Sequence, residues 1–397
     1  MATSLIASPR FIAALALLSI TPIACAQWTV SILHPTGATQ SSALGVSNTQ
    51  QVGFLSGAAD TAALWLGTAS SYATLHPAGA TDSHAYSAAL GQQVGDAFVN
   101  NQLRASLWTG SAGSWIDLSP AGTFRSQALG TNSVQQVGVA RVGLFDHAAF
   151  WSGTAGSWID LHPAVAASST AFAINGAQVG SATVSNVLHA CSWNGTAASF
   201  LDLHPTGVGA TGSEARAVQF GQVVGYAAGV GGHASHACLW QGLAFVDLNP
   251  AGSTESQALG IIDGIQVGYV RLAGGQSSAS LWRNTAASWE DLSIYLPGSW
   301  VATRAEQITR SGANYLVVGH GFNLATNRRE AVLWKMCYAN CDGSTSNPVL
   351  TANDFQCFLN KYAAGDAYAN CDGSPFTPTL TANDFQCFLN AFASGCT

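Results

Sequence analysis

The stretch that decides the fold runs from Gln136 to Pro163 and reads QVGVARVGLFDHAAFWSGTAGSWIDLHP. It opens on Gln136-Val137-Gly138, continues through Asp146-His147-Ala148-Ala149-Phe150-Trp151, and closes on Trp158-Ile159-Asp160-Leu161-His162-Pro163. Short β-branched and aromatic runs alternate here with Gly, Ser and Thr clusters, which is the spacing of strands and tight turns. The same order recurs along the chain. A Gln-Val-Gly-like element ends on Gly53, Gly95, Gly138, Gly180, Gly225, Gly268 and Gly319, 42 to 51 residues apart. Between 12 and 15 residues after each glycine stands a tryptophan: Trp65, Trp108, Trp151, Trp193, Trp240, Trp282 and Trp334. Most of these are followed by a polar turn and an Ile-Asp-Leu-like run, as in Trp115-Ile116-Asp117-Leu118 and Phe200-Leu201-Asp202-Leu203. A small-residue strand such as Ser126-Gln127-Ala128-Leu129 then begins the next unit.

Seven units of four short strands match the period of a propeller blade. One blade cannot bury both its faces, so seven stacked around an axis create the core. The sequence therefore predicts a mainly β chain, a seven-bladed β-propeller over residues 27–335 with a small helical module over 336–397. The repeated Trp and Val-Gly positions are expected to pack between blades, with glycine where backbones approach closely. A β-solenoid is the rival; unequal unit lengths fit loops on blades better than uniform coils.

Composition narrows the function. Of 397 residues, 13 are Lys or Arg and 20 are Asp or Glu, 8 % charged against roughly 25 % in ordinary soluble domains. Aromatic content excludes disorder. A net charge of −7 without a basic run excludes nucleic acid as a partner, because that binding needs clustered cations. At the N-terminus Arg10, the apolar run Phe11–Ile20 and Ala24-Cys25-Ala26 read as a secretory signal over residues 1–26. The run is too short to span a bilayer, so no membrane span is expected after cleavage. A lipoprotein acylated on Cys25 is the alternative, disfavoured by Pro22. Export places the eight remaining cysteines in an oxidising compartment.

The motifs Asp146-His147-Ala148-Ala149-Phe150-Trp151 and Ser235-His236-Ala237-Cys238-Leu239-Trp240 carry a resemblance to the HAF-type extracellular repeat, over residues 28–334. The resemblance implies a secreted propeller-like array and no activity. His34, His76, His162 and His204 share one repeat position with Ser119 and Asn249. That exchange suits a turn residue hydrogen-bonded to backbone and would ruin a metal site. His147, His189 and His236 read the same way. Asp117, Asp160, Asp202, Asp247 and Asp291 recur in five units and read as turn acceptors. The glycine-rich run Gly207–Gly212 lacks the following helix that a dinucleotide site requires. Cys191 and Cys238 hold equivalent places in adjacent units, open to an inter-blade disulfide or to two buried thiols.

From Cys337 the composition changes and a 30-residue tandem repeat appears. Asn340-Cys341-Asp342-Gly343-Ser344 precedes Thr351-Ala352-Asn353-Asp354-Phe355, and Asn370-Cys371-Asp372-Gly373-Ser374 precedes Thr381-Ala382-Asn383-Asp384-Phe385. Oxygen side chains at alternate positions, a glycine turn and a carboxylate opening a helix are how an EF-hand-like loop wraps Ca²⁺. Phe355, Phe358, Leu359 and Tyr362 form one helix face, matched by Phe385, Phe388, Leu389 and Phe392 in the second copy. This tail resembles a Cys-containing dockerin ending in Gly395-Cys396. Position by position, the resemblance implies two Ca²⁺ sites, held by Asn340, Asp342, Ser344 and Asp354 and by Asn370, Asp372, Ser374 and Asp384. It also places contacts to a cohesin-like or other cell-surface protein at Ala352 and Asn353, and equally at Ala382 and Asn383. The first ligand is Asn where Asp is usual, and each loop is three residues longer around Pro348 or Pro378. Two carboxylates per loop imply weak extracellular affinity, on the order of 10⁻⁴ M. The competing reading is a Cys-stapled helix pair without metal. Symmetry suggests the pairings Cys341–Cys357, Cys371–Cys387 and Cys337–Cys396 among the 15 that six cysteines allow.

Two functions follow. One is a secreted non-catalytic propeller, binding or structural, attached at the cell surface through the dockerin-like module, with a glycan or protein ligand on the propeller. The other is a secreted carbohydrate-active enzyme carried by that module, which a cluster of non-repeated carboxylates or His at one mouth of the ring would favour.

Overall fold

The structure, a computed structural model, describes residues 28–344, 348–374 and 378–396. The expected signal over residues 1–26 lies outside the described residues. Seven four-stranded antiparallel sheets follow one another along the chain. Blade 3 shows the local logic, with strands Ser126–Thr131, Gln136–Val142, Phe145–Trp151 and Ile159–Asp160 adjacent in sequence order. After Trp151 the chain turns under Ser157, whose hydroxyl accepts from the Ser152 amide at 2.8 Å and donates to the Thr154 carbonyl. The Gly153 amide donates to Gln136 Oε1 at 2.8 Å. Gln51, Gln93, Gln178 and Gln266 make the equivalent bond in their own blades. The Gln of one motif thus holds the turn that follows the Trp of the other, which is why the two recur together. Hairpins such as Asn100-Asn101 and Ser185-Asn186 put both turn residues at positive φ, matching the right-handed strand twist.

The tryptophans are fully buried, and the cores lie between blades as expected. Val94, Leu107 and Leu118 of blade 2 pack with Ala128, Ala149 and Trp151 of blade 3. The repeated glycines serve a different purpose from the one expected. A Cβ on Gly138 would stand 1.9 Å from the Gln127 carbonyl oxygen of the same blade, and all seven glycines show this distance to their own first strand. The close approach is inside the blade, where the first strand carries a bulge between Ala128 and Gly130.

Neighbouring blades are tied by one repeated hydrogen bond. A serine at the start of each first strand accepts a backbone amide of the preceding blade, as Ser83 does from Ala62, Ser126 from Ala105 and Ser169 from Ala148. Thr303 takes this role in blade 7. Ser41 accepts from Ala331 of the last blade, which joins the ends of the ring. The last blade supplies three strands of its own, Trp300–Ser311, Asn314–Asn323 and Arg328–Cys337. Its outermost strand is the N-terminal Thr29–Ile32, with Thr29 opposite Lys335. This closure overturns the solenoid.

Strand Arg328–Cys337 runs directly into the C-terminal module, where helices α1 (Ala352–Ala363) and α2 (Ala382–Ser394) each begin with a capping box, Thr351/Asp354 and Thr381/Asp384. Phe358 stacks on Phe388 at 4.1 Å between ring centroids. Disulfides join Cys337 to Cys396, Cys341 to Cys357 and Cys371 to Cys387, the symmetric pairing. Cys191 and Cys238 are buried free thiols, so the inter-blade bridge is not formed. Each sits in a different inter-blade cluster, and burial raises both thiol pKa values.

Candidate functional site in the C-terminal loops and the axial channel

The two C-terminal loops are built alike. Asp354, fully buried at the first turn of α1, accepts from the Thr351 amide at 2.7 Å and from the Asp342 amide at 3.2 Å. Asp342 in turn accepts from the Ser344 amide at 2.8 Å. In the second copy Asp384 accepts from Thr381 and Asp372, and Asp372 from Ser374. Burial pushes the Asp354 carboxyl up; the Thr351 and Asp342 amides oppose this, and the Asp342 carboxylate adds to it. Burial likewise raises Asp372, opposed by the Ser374 amide and reinforced by Asp384 and Asp263. Asn340 and Asn370 donate through Nδ2 to the carbonyls of Ser344 and Ser374 at 3.0 Å. Their Oδ1 atoms are buried and have no hydrogen-bond partner among the described residues. A buried carbonyl oxygen without a donor beside two carboxylates is the donor set a hard cation fits. No three of His, Cys, Asp or Glu gather as a metal cluster among the described residues, and part of each loop (345–347 and 375–377) lies outside them. Ala352, Asn353, Ala382 and Asn383 are exposed at the starts of their helices.

The repeated histidines and acids of the propeller hold turns. His34, His76, His162 and His204 contact the inter-blade serines through Nδ1 at 2.7 to 2.8 Å, where Ser119 and Asn249 do the same in their blades. Asp117, Asp160, Asp202, Asp247 and Asp291 each accept the amide two residues on at 2.8 Å. His147, His189 and His236 contact the second oxygen of Asp160, Asp202 and Asp247.

The non-repeated chemistry gathers on the axis. In every blade the residue left over by the first-strand bulge lines one axial cavity of about 720 Å³: Leu44, Tyr86, Leu129, Phe172, Arg216, Leu259 and Glu306. A bulge re-aims a side chain that the pleat would otherwise place elsewhere. Behind Tyr86, His84 contacts Asp96 Oδ1 through Nδ1 at 2.9 Å and Asp60 Oδ2 through Nε2 at 3.1 Å. Ionised carboxylates only accept, so with both Asp96 and Asp60 ionised the two ring nitrogens donate, and the pair favours the imidazolium form of His84. Burial opposes that charge, but Asp96 and Asp60 prevail and raise the pKa. Tyr86 and Gln127 donate to Asp96 Oδ2 at 2.7 and 2.6 Å. On the facing side Arg216 pairs with Glu214 at 2.7 Å and lies over Phe172 at 4.5 Å. Burial raises the Glu214 carboxyl and lowers the His320 imidazole. Sequence reading marks Asp60, Asp96, Glu214 and Glu306 as non-repeated acids but assigns none of these axial residues to a site. For the cavity-lining residues the signal is one position of varied type directly after each Ser-x-Ala or, in the last unit, Thr303-Arg304-Ala305.

No protein-family profile matches the chain, and no curated protein does either. Among solved structures, the chain is similar to the β-propeller domain of the Trilobed protease from Pyrococcus furiosus, at 10 % identity and a TM-score of 0.53, over 75 % of this chain and 95 % of that one. It is similar to the Pyrococcus horikoshii acylaminoacyl peptidase at 11 % identity and a TM-score of 0.50, over 78 % of this chain and 54 % of that one. TolB from Acinetobacter baumannii matches at 9 % identity and a TM-score of 0.45, over 65 % of this chain and 64 % of that one. The chain therefore spans about half of the peptidase and under two thirds of TolB. At such identities the first two likenesses show the propeller fold alone.

Proposed function

We propose that this chain is a secreted, non-catalytic binding propeller, anchored to an extracellular or cell-surface protein through a calcium-binding, dockerin-like module over residues 336–397. The observation that carries the reading is the pair of buried Asn340 and Asn370 Oδ1 atoms without donors, each beside two carboxylates in the same tandem loop. Asn340, Asp342, Ser344 and Asp354 would hold one Ca²⁺, and Asn370, Asp372, Ser374 and Asp384 the other. The cation supplies positive charge that balances the paired carboxylates. Asp354 and Asp384 tie each loop to the first turn of its helix through the Thr351 and Thr381 amides. The exposed Ala352-Asn353 and Ala382-Asn383 steps then face a cohesin-like partner. Calorimetric titration with CaCl₂ tests this: two ions per chain are expected, one each in Asp354→Asn and Asp384→Asn, and none in the double variant. No binding at about 10 mM Ca²⁺, far above the extracellular-module range, rules the reading out.

A carbohydrate-active enzyme is the second reading, favoured by the non-repeated Asp60, His84, Asp96 and Tyr86 behind the axial cavity. Against it, Asp96 is 1 % exposed and already accepts from His84, Tyr86 and Gln127. Both of its oxygens are already engaged and it is shut off from solvent, which leaves it poorly placed to move a substrate proton. The mixed ring of Leu, Tyr, Phe, Arg and Glu suits a propeller that binds a glycan or protein ligand at its axis.

A further inference from the structure

The two calcium loops have nearly the same ligands but not the same surroundings. Gly373 lies between Asp372 and Ser374 at φ 68°, and a Cβ there would stand 2.3 to 2.6 Å from the backbone of Asp263. Asp263 is the first turn residue of the blade 6 hairpin between Ser253–Ile262 and Ile265–Leu272. Its carboxylate accepts from Arg310 Nη1 at 3.2 Å and from the Tyr315 hydroxyl at 3.3 Å, both on blade 7. The same Arg310 donates to the Cys371 carbonyl at 3.4 Å and reaches Cys387 Sγ at 3.6 to 3.7 Å. One guanidinium therefore joins the propeller to the residue preceding Asp372 and to the disulfide that closes the second loop. A cleft of about 260 Å³ beside it is lined by Asn370 and Ser374 from the loop and by Asp263, Asn284 and Thr285 from the propeller. The hydrogen bonds of Asn340, Asp342, Ser344 and Asp354 reach the propeller at the end of its last strand, where the Asn340 amide donates to the Cys337 carbonyl at 3.1 Å, and otherwise stay inside the module.

We infer that calcium in the second loop, and not in the first, locks the module onto blades 6 and 7. The inference rests on the calcium reading above. Asn370, Asp372, Ser374 and Asp384 converge only when the 370–374 turn takes the shape that also fits Gly373 against Asp263 and the Cys371 carbonyl against Arg310. Filling the site selects that shape, and by linkage the docked propeller favours filling the site. The first loop meets the propeller through the chain that enters it, where the Tyr338 amide donates to the Ala313 carbonyl at 2.9 Å, and the strand leading into it holds that contact whether the site is filled or empty. Arg310 and Asp263 are positioning residues for the second loop and do not touch its metal.

Hydrogen exchange of the full chain, at about 1 mM Ca²⁺ or in EGTA, tests this with amides 260–266 and 307–316 as reporters and blade 3 as internal control. With a dissociation constant on the order of 10⁻⁴ M, calcium should slow exchange at the reporters about tenfold. Asp384→Asn should lose that protection with calcium present, and Asp354→Asn should keep it. Gly373→Ala should lose it too, while Gly343→Ala, which carries the same φ of 68°, should not. Equal behaviour of Asp354→Asn and Asp384→Asn, or calcium-independent exchange at the reporters, would overturn the inference. Equilibrium dialysis of the same samples separates the two failures: two bound ions with equal behaviour sinks only the lock, and no bound ions sinks the calcium reading with it.

Discussion

The propeller and the C-terminal module meet the same requirement, a buried core in a chain with few charges, by opposite means. The propeller needs no covalent link: a hydroxyl on a neighbouring amide (Ser in six blades, Thr303 in the seventh), a Gln on a turn in five blades and a buried Trp in all seven close a ring whose last blade borrows Thr29–Ile32. The module has about 60 residues, too few to bury a sufficient core alone. It carries three disulfides and leans on the propeller, so that Trp334, Tyr338, Phe358 and Phe388 share one cluster. Repetition stabilises the large part and staples the small one. The consequence is that damage should spread differently in each.

The widest separation between the two is expected from the clasp. Cys337–Cys396 closes a span of 59 residues. Replacing both cysteines by Ser should cost about 4 kcal/mol, nearly all of it in the module. Calorimetry should resolve a separate low-temperature transition, and exchange in α1 and α2 should rise while blades 2–5 stay protected. A single undivided transition would break the comparison. Inside the propeller the largest effect falls on the bulge. Gly180→Ala drives a Cβ to 1.9 Å from the Thr170 carbonyl and should cost about 3 kcal/mol in urea unfolding. Gly153→Ala, at φ 83° with open space around it, should cost only about 1 kcal/mol. Equal losses would remove the bulge from the account.

Much of this was legible in the sequence, and the reasons differ by element. The blades were readable because each motif appears seven times. The outer strand of the last blade left a trace as well: Ser31-Ile32-Leu33-His34-Pro35 stands ahead of the first glycine element, and nothing like it follows Trp334. The disulfide pairing followed from tandem symmetry. Illegible were the contacts that no repeat announces. The seven axial residues are Leu in three blades and Tyr, Phe, Arg and Glu in the others, because no shared structural task fixes one type there. Arg310, Asp263 and Gly373 come from three units and meet only when the ring is closed. Cys191 and Cys238 show the opposite risk, since equivalent places in adjacent blades face separate cores.

A smaller effect tests the inter-blade hydrogen bond. Ser169→Ala leaves the buried Ala148 amide without its 2.9 Å acceptor and the half-buried His162 Nδ1 without its 2.8 Å partner. The expected loss is about 1–3 kcal/mol by urea unfolding. Ser168→Ala, which removes only a half-buried contact to Thr183, should stay within about 0.5 kcal/mol. If the two variants match, the ring is held by its apolar cores and the serine ladder only decorates them.

The smallest expected effect lies on the axis and shows itself through pH. His84 has its pKa raised by Asp96 and Asp60 against the cost of burial. Its folded state holds a proton that the unfolded chain releases near pH 6.5, so its contribution is full below that pH and fades as pH rises through the raised value. His34, His162, His204 and His320 have lowered pKa values, chiefly from burial, and act with the opposite sign: their contribution is lost as pH falls through 6.5 toward those values. Wild-type pH dependence is therefore a sum that hides His84, and the difference against His84→Gln isolates it. Glutamine has no ionisable proton and cannot answer both carboxylates with a charge. The stability gap between wild type and His84→Gln should be widest at about pH 6 and narrow steadily above it. A gap that stays constant with pH would mean that His84 is neutral, and that a proton on one of the two carboxylates bridges it to the other oxygen.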